Sequence, residues 1–132
     1  IEDRPPLIRM RLSCRASENL LLSNDVLVRA GTEWAQVCER ILRWLEMNSE
    51  HSKASVMESF VLGGLDRKHF DLKEIRMILV ADILQSTRPW EFLVGQTLGM
   101  LSVASLASQE EGSIANYLGA KARTVLEGML GN

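Results

Sequence analysis

Between Phe92 and Gln109 the chain runs through eighteen residues, FLVGQTLGMLSVASLASQ, without a charge, and Gly95 and Gly99 stand within it as GxxxG. A membrane span, a seam between two chains and a buried helix can each be written this way. As one α-helix the segment would reach about 27 Å at about 1.5 Å per residue, close to the thickness of a bilayer core. Its composition argues for water. Gln96, Thr97, Ser102, Ser105, Ser108 and Gln109 interrupt the apolar run that insertion into lipid rewards, and Arg88, Glu110 and Glu111 give little orienting charge. The segment reads as a buried central helix, and a membrane partner is disfavoured. A glycine in a helix interior costs about 1 kcal/mol relative to alanine, so the pair calls for a close neighbour. We expect a tight seam within the chain, with the LGAKA stretch at 118–122 as the packing partner, ahead of a homodimer seam.

The clearest helical signal lies upstream, in TEWAQVCERILRWLEMN. Trp34, Val37, Cys38, Ile41, Leu42 and Leu45 share one stripe, while Glu33, Gln36, Glu39, Arg40, Arg43 and Glu46 share the other. Glu39 and Arg43 form a supportive i,i+4 pair. A second helix is expected over 52–62, with Ala54, Met57, Phe60 and Val61 inward and Gly63 and Gly64 ending it. In DLKEIRMILVADILQS, Asp71 and Glu74 make a variant capping box before a run that is apolar almost all round, the mark of a central helix. Ser86 or Thr87 caps the next helix, with Pro89 in its first turn, and Ile114, Leu118, Ala122, Val125 and Met129 mark a last stripe.

The first 31 residues read differently. IEDRPPLIRMRLSCR alternates Ile8, Met10, Leu12 and Cys14 with Arg9, Arg11, Ser13 and Arg15, a period of two. LLLSNDVLVRAG then allows either a hairpin turning at Asn24 and Asp25 or a helix capped at Asn24. The expected architecture is all-α, a bundle of about five helices over 32–132, with the Ile75 and Leu93 helices central. Residues 1–31 precede it as an extended basic arm or short β-hairpin.

A chain of 132 residues buries roughly two-thirds of its unfolded surface, enough for one core. With only 5% aromatic residues that core falls to Leu, Ile, Val, Met and Ala. The net charge of −2 argues against a general polyanion binder. Two cysteines make no disulfide framework, so an intracellular, reducing compartment is expected. The chain lacks a secretory-type start and does not begin with Met, which leads us to expect an excised domain or processed piece.

Chemistry-bearing residues are sparse. Cys38 with His51 or His69 is the one cysteine–histidine pair that can be written, and Cys38 falls on the core stripe. Cys14 stands among arginines that would lower a thiol pKa, with no base in sight. Asp66, His69 and Asp71 in DRKHFD are interrupted by Arg67 and Lys68, and GGLDRK lacks phosphate-loop spacing. Asp82 sits among apolar neighbours and calls for an internal partner, Arg76 or Arg88. No catalytic residue, metal or cofactor is therefore expected.

Partner surfaces are better supported. Trp44 stands about 100° off the apolar stripe beside Arg40 and Arg43, the composition of a protein-binding hot spot. Arg9, Arg11 and Arg15 on the arm, with Arg67 and Lys68, offer a phosphate track. The functional expectation is a non-enzymatic protein–protein interaction or assembly module, self-association included. The alternative is a nucleic-acid-associated protein, coating or docking on RNA through the arginine arm.

Overall fold

The computed structural model describes residues 14–119, 124 and 126–129, which are mostly helical and contain no strand. The helical class stands, but nine short helical elements replace five longer ones among the described residues. They are α1 (Ser17–Leu22, a 3-10 helix), α2 (Asn24–Arg29), α3 (Trp34–Met47), α4 (Ala54–Leu62) and α5 (Arg76–Ile78). After them come α6 (Leu79–Ile83, a π-helix), α7 (Trp90–Gly99), α8 (Val103–Leu106) and α9 (Ile114–Tyr117). Residues 126–129 are also helical.

The hairpin option fails over 17–29, where α1 and α2 stand. Leu20, Leu21 and Leu22 are all fully buried, so a period of two has no solvent face to offer there. These leucines, not the Leu93 helix, are central: α1 packs on α2, α7 and α9. Asn19 fixes them in place. Its Oδ1 accepts from the Ala16 amide at 3.1 Å, and its Nδ2 donates to the Arg67 and Phe70 carbonyls at 2.8 and 2.9 Å. The extended reading thus ends before residue 17; of the strand expected from Ile8 to Arg15, residues 8–13 lie outside the described residues, and Cys14 and Arg15 form a bend, not a strand.

Helix α3 forms where its periodicity places it, but its buried line is Val37, Ile41 and Trp44. Leu42 is exposed and Trp34, Cys38 and Leu45 are half-buried, so the face is rotated from the expected stripe. Helix α4 matches its sequence signal, with Met57 and Phe60 buried. The chain then reverses through Gly64 and Leu65 at φ 91° and 55°, a left-handed pair that glycine makes accessible.

Asp71 does not start a helix. Its Oδ1 accepts from the Lys73 amide, closing a local turn, and Glu74 pairs with Lys53 at 2.9 Å. After one turn of α5 the backbone widens: the Leu84 amide donates to the Leu79 carbonyl, a five-residue step, at 2.8 Å.

The uncharged segment is not one helix. Helix α7 ends at Gly99 with the Met100 amide turned back to Thr97, and Ser102 then caps α8 by accepting from the Ser105 amide at 3.1 Å. Ser105 Oγ reciprocates towards the Ser102 amide, so a serine capping box breaks the run where no charge does. Among the described residues no helix is long and apolar enough to cross a membrane. Gly95 and Gly99 are exposed, and a Cβ built on either meets nothing within 4 Å. They therefore form no close seam with described parts of the chain; Ala120, Lys121 and Ala122 of the expected partner stretch lie outside the described residues. Helix α9 is likewise short, because Leu118 turns extended at ψ 141°. Ile114 and Leu118 are buried, Met129 is exposed, and Ala122 and Val125 lie outside the described residues.

Candidate functional site

Two of the three residues expected to meet a protein partner meet the π-helix of their own chain. A π turn leaves carbonyls out of the regular ladder, and the Ile83 carbonyl accepts from Arg40 Nη1 at 2.8 Å. Trp44 is only 6% exposed, and its Nε1 donates to Asp82 Oδ2 at 3.0 Å. The rotation of α3 thus turns the expected anchor inward, and its ring meets His51 in an edge-type contact with centroids 5.1 Å apart. Arg43 remains exposed. Asp82 is itself exposed, so it needs no buried counter-ion. Arg76 pairs with Glu18 at 2.8 Å instead, and Arg88 lies over the Phe92 ring at 4.6 Å.

The basic candidates converge on the loop after α4. The Arg15 amide donates to the Lys68 carbonyl at 3.0 Å, which sets the end of the arm beside Arg67 and Lys68. Each charge has a local partner. Arg15 reaches Asp71 at 3.3 Å, and Lys68 Nζ donates to Asn116 Oδ1 at 2.7 Å. Arg67 Nη1 donates to the Leu22 carbonyl and to Asn24 Oδ1, both at 2.9 Å, and its guanidinium covers the Trp34 ring at 4.4 Å. Arg9 and Arg11 lie outside the described residues.

The cysteines are thiols under burial. Desolvation pushes Cys14 up to about 11, against weaker lowering by backbone hydrogen bonds and by Lys68, so its basic neighbours do not set its pKa. Its Sγ donates to the Ala16 carbonyl. Burial also raises Cys38. His69 pairs with Asp66 at 3.2 Å in the open. No cluster of three or more metal-ligating groups occurs among the described residues.

Sequence reasoning missed a groove of about 440 Å3 between the α5–α6 turn and the start of α7, with walls from Arg76, Met77, Val80, Ala81, Pro89 and Trp90. Met77 is 80% exposed, and Phe92 beside the groove is 41% exposed. The Trp90 indole nitrogen is buried and has no hydrogen-bond partner among the described residues. The Arg76 guanidinium lies 5.6 Å from the Trp90 ring. The signal was present in MILVADIL, which carries more apolar side chains than one helix face can bury. No family model, curated protein or solved structure matches the chain.

Proposed function

We propose that the chain is a non-enzymatic protein–protein interaction module that docks a partner segment in the Met77–Trp90 groove. The observation that carries this is a flexible, polarizable methionine standing in solvent beside a buried indole N–H that lacks an acceptor. Methionine repacks readily against varied apolar surfaces. An unsatisfied buried donor costs about 1–3 kcal/mol, which a partner's carbonyl or carboxylate would recover. Arg88 on the same rim lies over Phe92 and has no ion pair among the described residues, while Glu91 lines the rim too, so the partner's chemistry is an apolar anchor with an acid set towards Arg88 and away from Glu91. Val80 and Ala81 of the π turn line the groove, and such turns are frequent at functional sites.

Selection from a displayed random-peptide library tests the reading. Recovered peptides should join an apolar residue to Asp or Glu, protect the amides of residues 76–91 from exchange, and lose at least about tenfold in affinity with Met77→Glu. Peptides indifferent to that change would refute the docking site. The nucleic-acid alternative draws its support from the Arg15–Lys68 backbone contact, which sets Arg15 beside a second basic run. Molar mass by light scattering with a short RNA, for the parent and for Arg15→Ala with Lys68→Ala, separates it from the first reading.

A further inference from the structure

A second cavity, of about 520 Å3, opens between the start of α3, the loop after α4 and the turn before α9. Trp34, Asp66, Arg67, His69, Glu111 and Tyr117 line it, with Lys68 alongside. Its size is that of small-molecule sites, which run from about 300 to 1,000 Å3. Tyr117 is 1% exposed, yet its hydroxyl has no hydrogen-bond partner among the described residues. A buried phenol normally finds one. Burial raises the Tyr117 pKa most; among charges Arg67 lowers it and Cys14, Asp66 and Glu111 raise it. Tyr117 lines the cavity together with Asp66, Arg67 and Glu111, and burial keeps its phenol protonated and able to donate.

The charges around this hydroxyl have both signs. Arg67 is held in place by the Leu22 carbonyl, Asn24 and the Trp34 ring, so its cation is fixed before any ligand arrives. The Gly112 position must stay empty for this, since a Cβ there would collide with Arg67 Nη2 and with the Asn24 carboxamide. Asp66 pairs with His69, and Glu111 lines the same cavity without an ion pair among the described residues. A simple anion would meet two carboxylates, and a simple cation would meet Arg67 and Lys68. A molecule that carries both charges suits a lining of both signs. Trp34 and Leu65 add apolar wall for a side chain.

We propose that this cavity binds a free α-amino acid, its carboxylate taken by the Tyr117 hydroxyl and Arg67 and its ammonium by Asp66 and Glu111. The site is separate from the Met77–Trp90 groove, and the one stands or falls without the other.

Titration of the full chain by tryptophan fluorescence and by NMR, with leucine, N-acetyl-leucine and leucinamide as probes, tests it. Leucine should bind at up to about 10 mM, and the two half-charged analogues should bind at least about tenfold more weakly. Tyr117→Phe deletes a hydroxyl that has no partner, so the melting temperature should hold or rise while leucine affinity falls about tenfold. Asp66→Asn should weaken leucine but leave N-acetyl-leucine unchanged. No binding of leucine, equal binding of N-acetyl-leucine, or Tyr117→Phe that binds as the parent does would each overturn the proposal. So would a Tyr117→Phe protein that fails to fold, because the hydroxyl would then serve the fold.

Discussion

Two tryptophans exchange the roles that their spacing suggests, and the reason is a rotation of α3 by less than one residue's angular step. Trp44 is closed in by Asp82, His51 and the π turn, whereas Trp34 is half-exposed under the Arg67 guanidinium. Trp44→Ala should therefore lower unfolding free energy by about 3–5 kcal/mol, and Trp34→Ala by clearly less, in denaturant titrations. Equal losses would mean that α3 buries the two rings alike. A second prediction concerns pH. Cys14 in the folded chain is raised from an ordinary 9.0 to about 11, so above pH 9 the unfolded chain releases a proton that the folded chain keeps. Stability from this group is complete below pH 9 and is lost as pH climbs towards 11, by about 1 kcal/mol per unit at most. Cys14→Ala should flatten that decline between pH 9 and 11, and an unchanged slope would show that the thiol does not titrate with folding.

At the scale of elements, what could be read from sequence depended on whether polar residues marked the solvent face. Helices α3 and α4 carry such faces and were legible, down to the glycine pair after Leu62. The segment at 92–109 carries no charge to mark an interruption, and its break lies in a Ser102–Ser105 capping box that reads equally as small helix residues. The π-helix was hidden for the opposite reason, since MILVADIL is apolar on every side and shows no phase from which a widened turn stands out. The Met77–Trp90 groove went unread because it joins two elements whose register only the fold supplies. The loop holding Arg67 and Lys68 was singled out, but for phosphates, because neither the Leu22 carbonyl nor the Trp34 ring is visible as its partner in sequence. Gly95 gives an element-scale test. Since a Cβ there meets nothing within 4 Å, Gly95→Ala should raise stability by up to about 1 kcal/mol through helix propensity, without changing molar mass. A destabilised Gly95→Ala protein, or one that loses a dimer, would place another surface against this face.

Across the whole molecule, the buried apolar residues form one core cluster, within which the larger helix contacts fall into two groups. Helix α1 packs on α2, α7 and α9, α2 packs also on α7 and α9, and α3 packs on α4 and α6. Polar ties cross between them. Asn19 in α1 holds the Arg67 and Phe70 carbonyls of the loop after α4, and Arg67 joins the Leu22 carbonyl to the Trp34 ring of α3. Glu18 of α1 holds Arg76 of α5 at 2.8 Å. Removing Asn19 strands the Ala16 amide and two carbonyls, at about 1–3 kcal/mol for each buried group left unpaired. Lost apolar contact within one group shifts a single transition; lost ties between groups weaken the coupling that makes the transition single. The parent should unfold with calorimetric and van't Hoff enthalpies in agreement, and Asn19→Ala with Arg67→Ala should break that agreement. Leu79→Ala, a core deletion on the α6 side, should instead lower the midpoint with agreement kept. A double variant that still melts in one concerted step, at a lower temperature, would show that apolar contacts alone couple the two groups, and Asn19 and Arg67 would then be local fasteners of one loop.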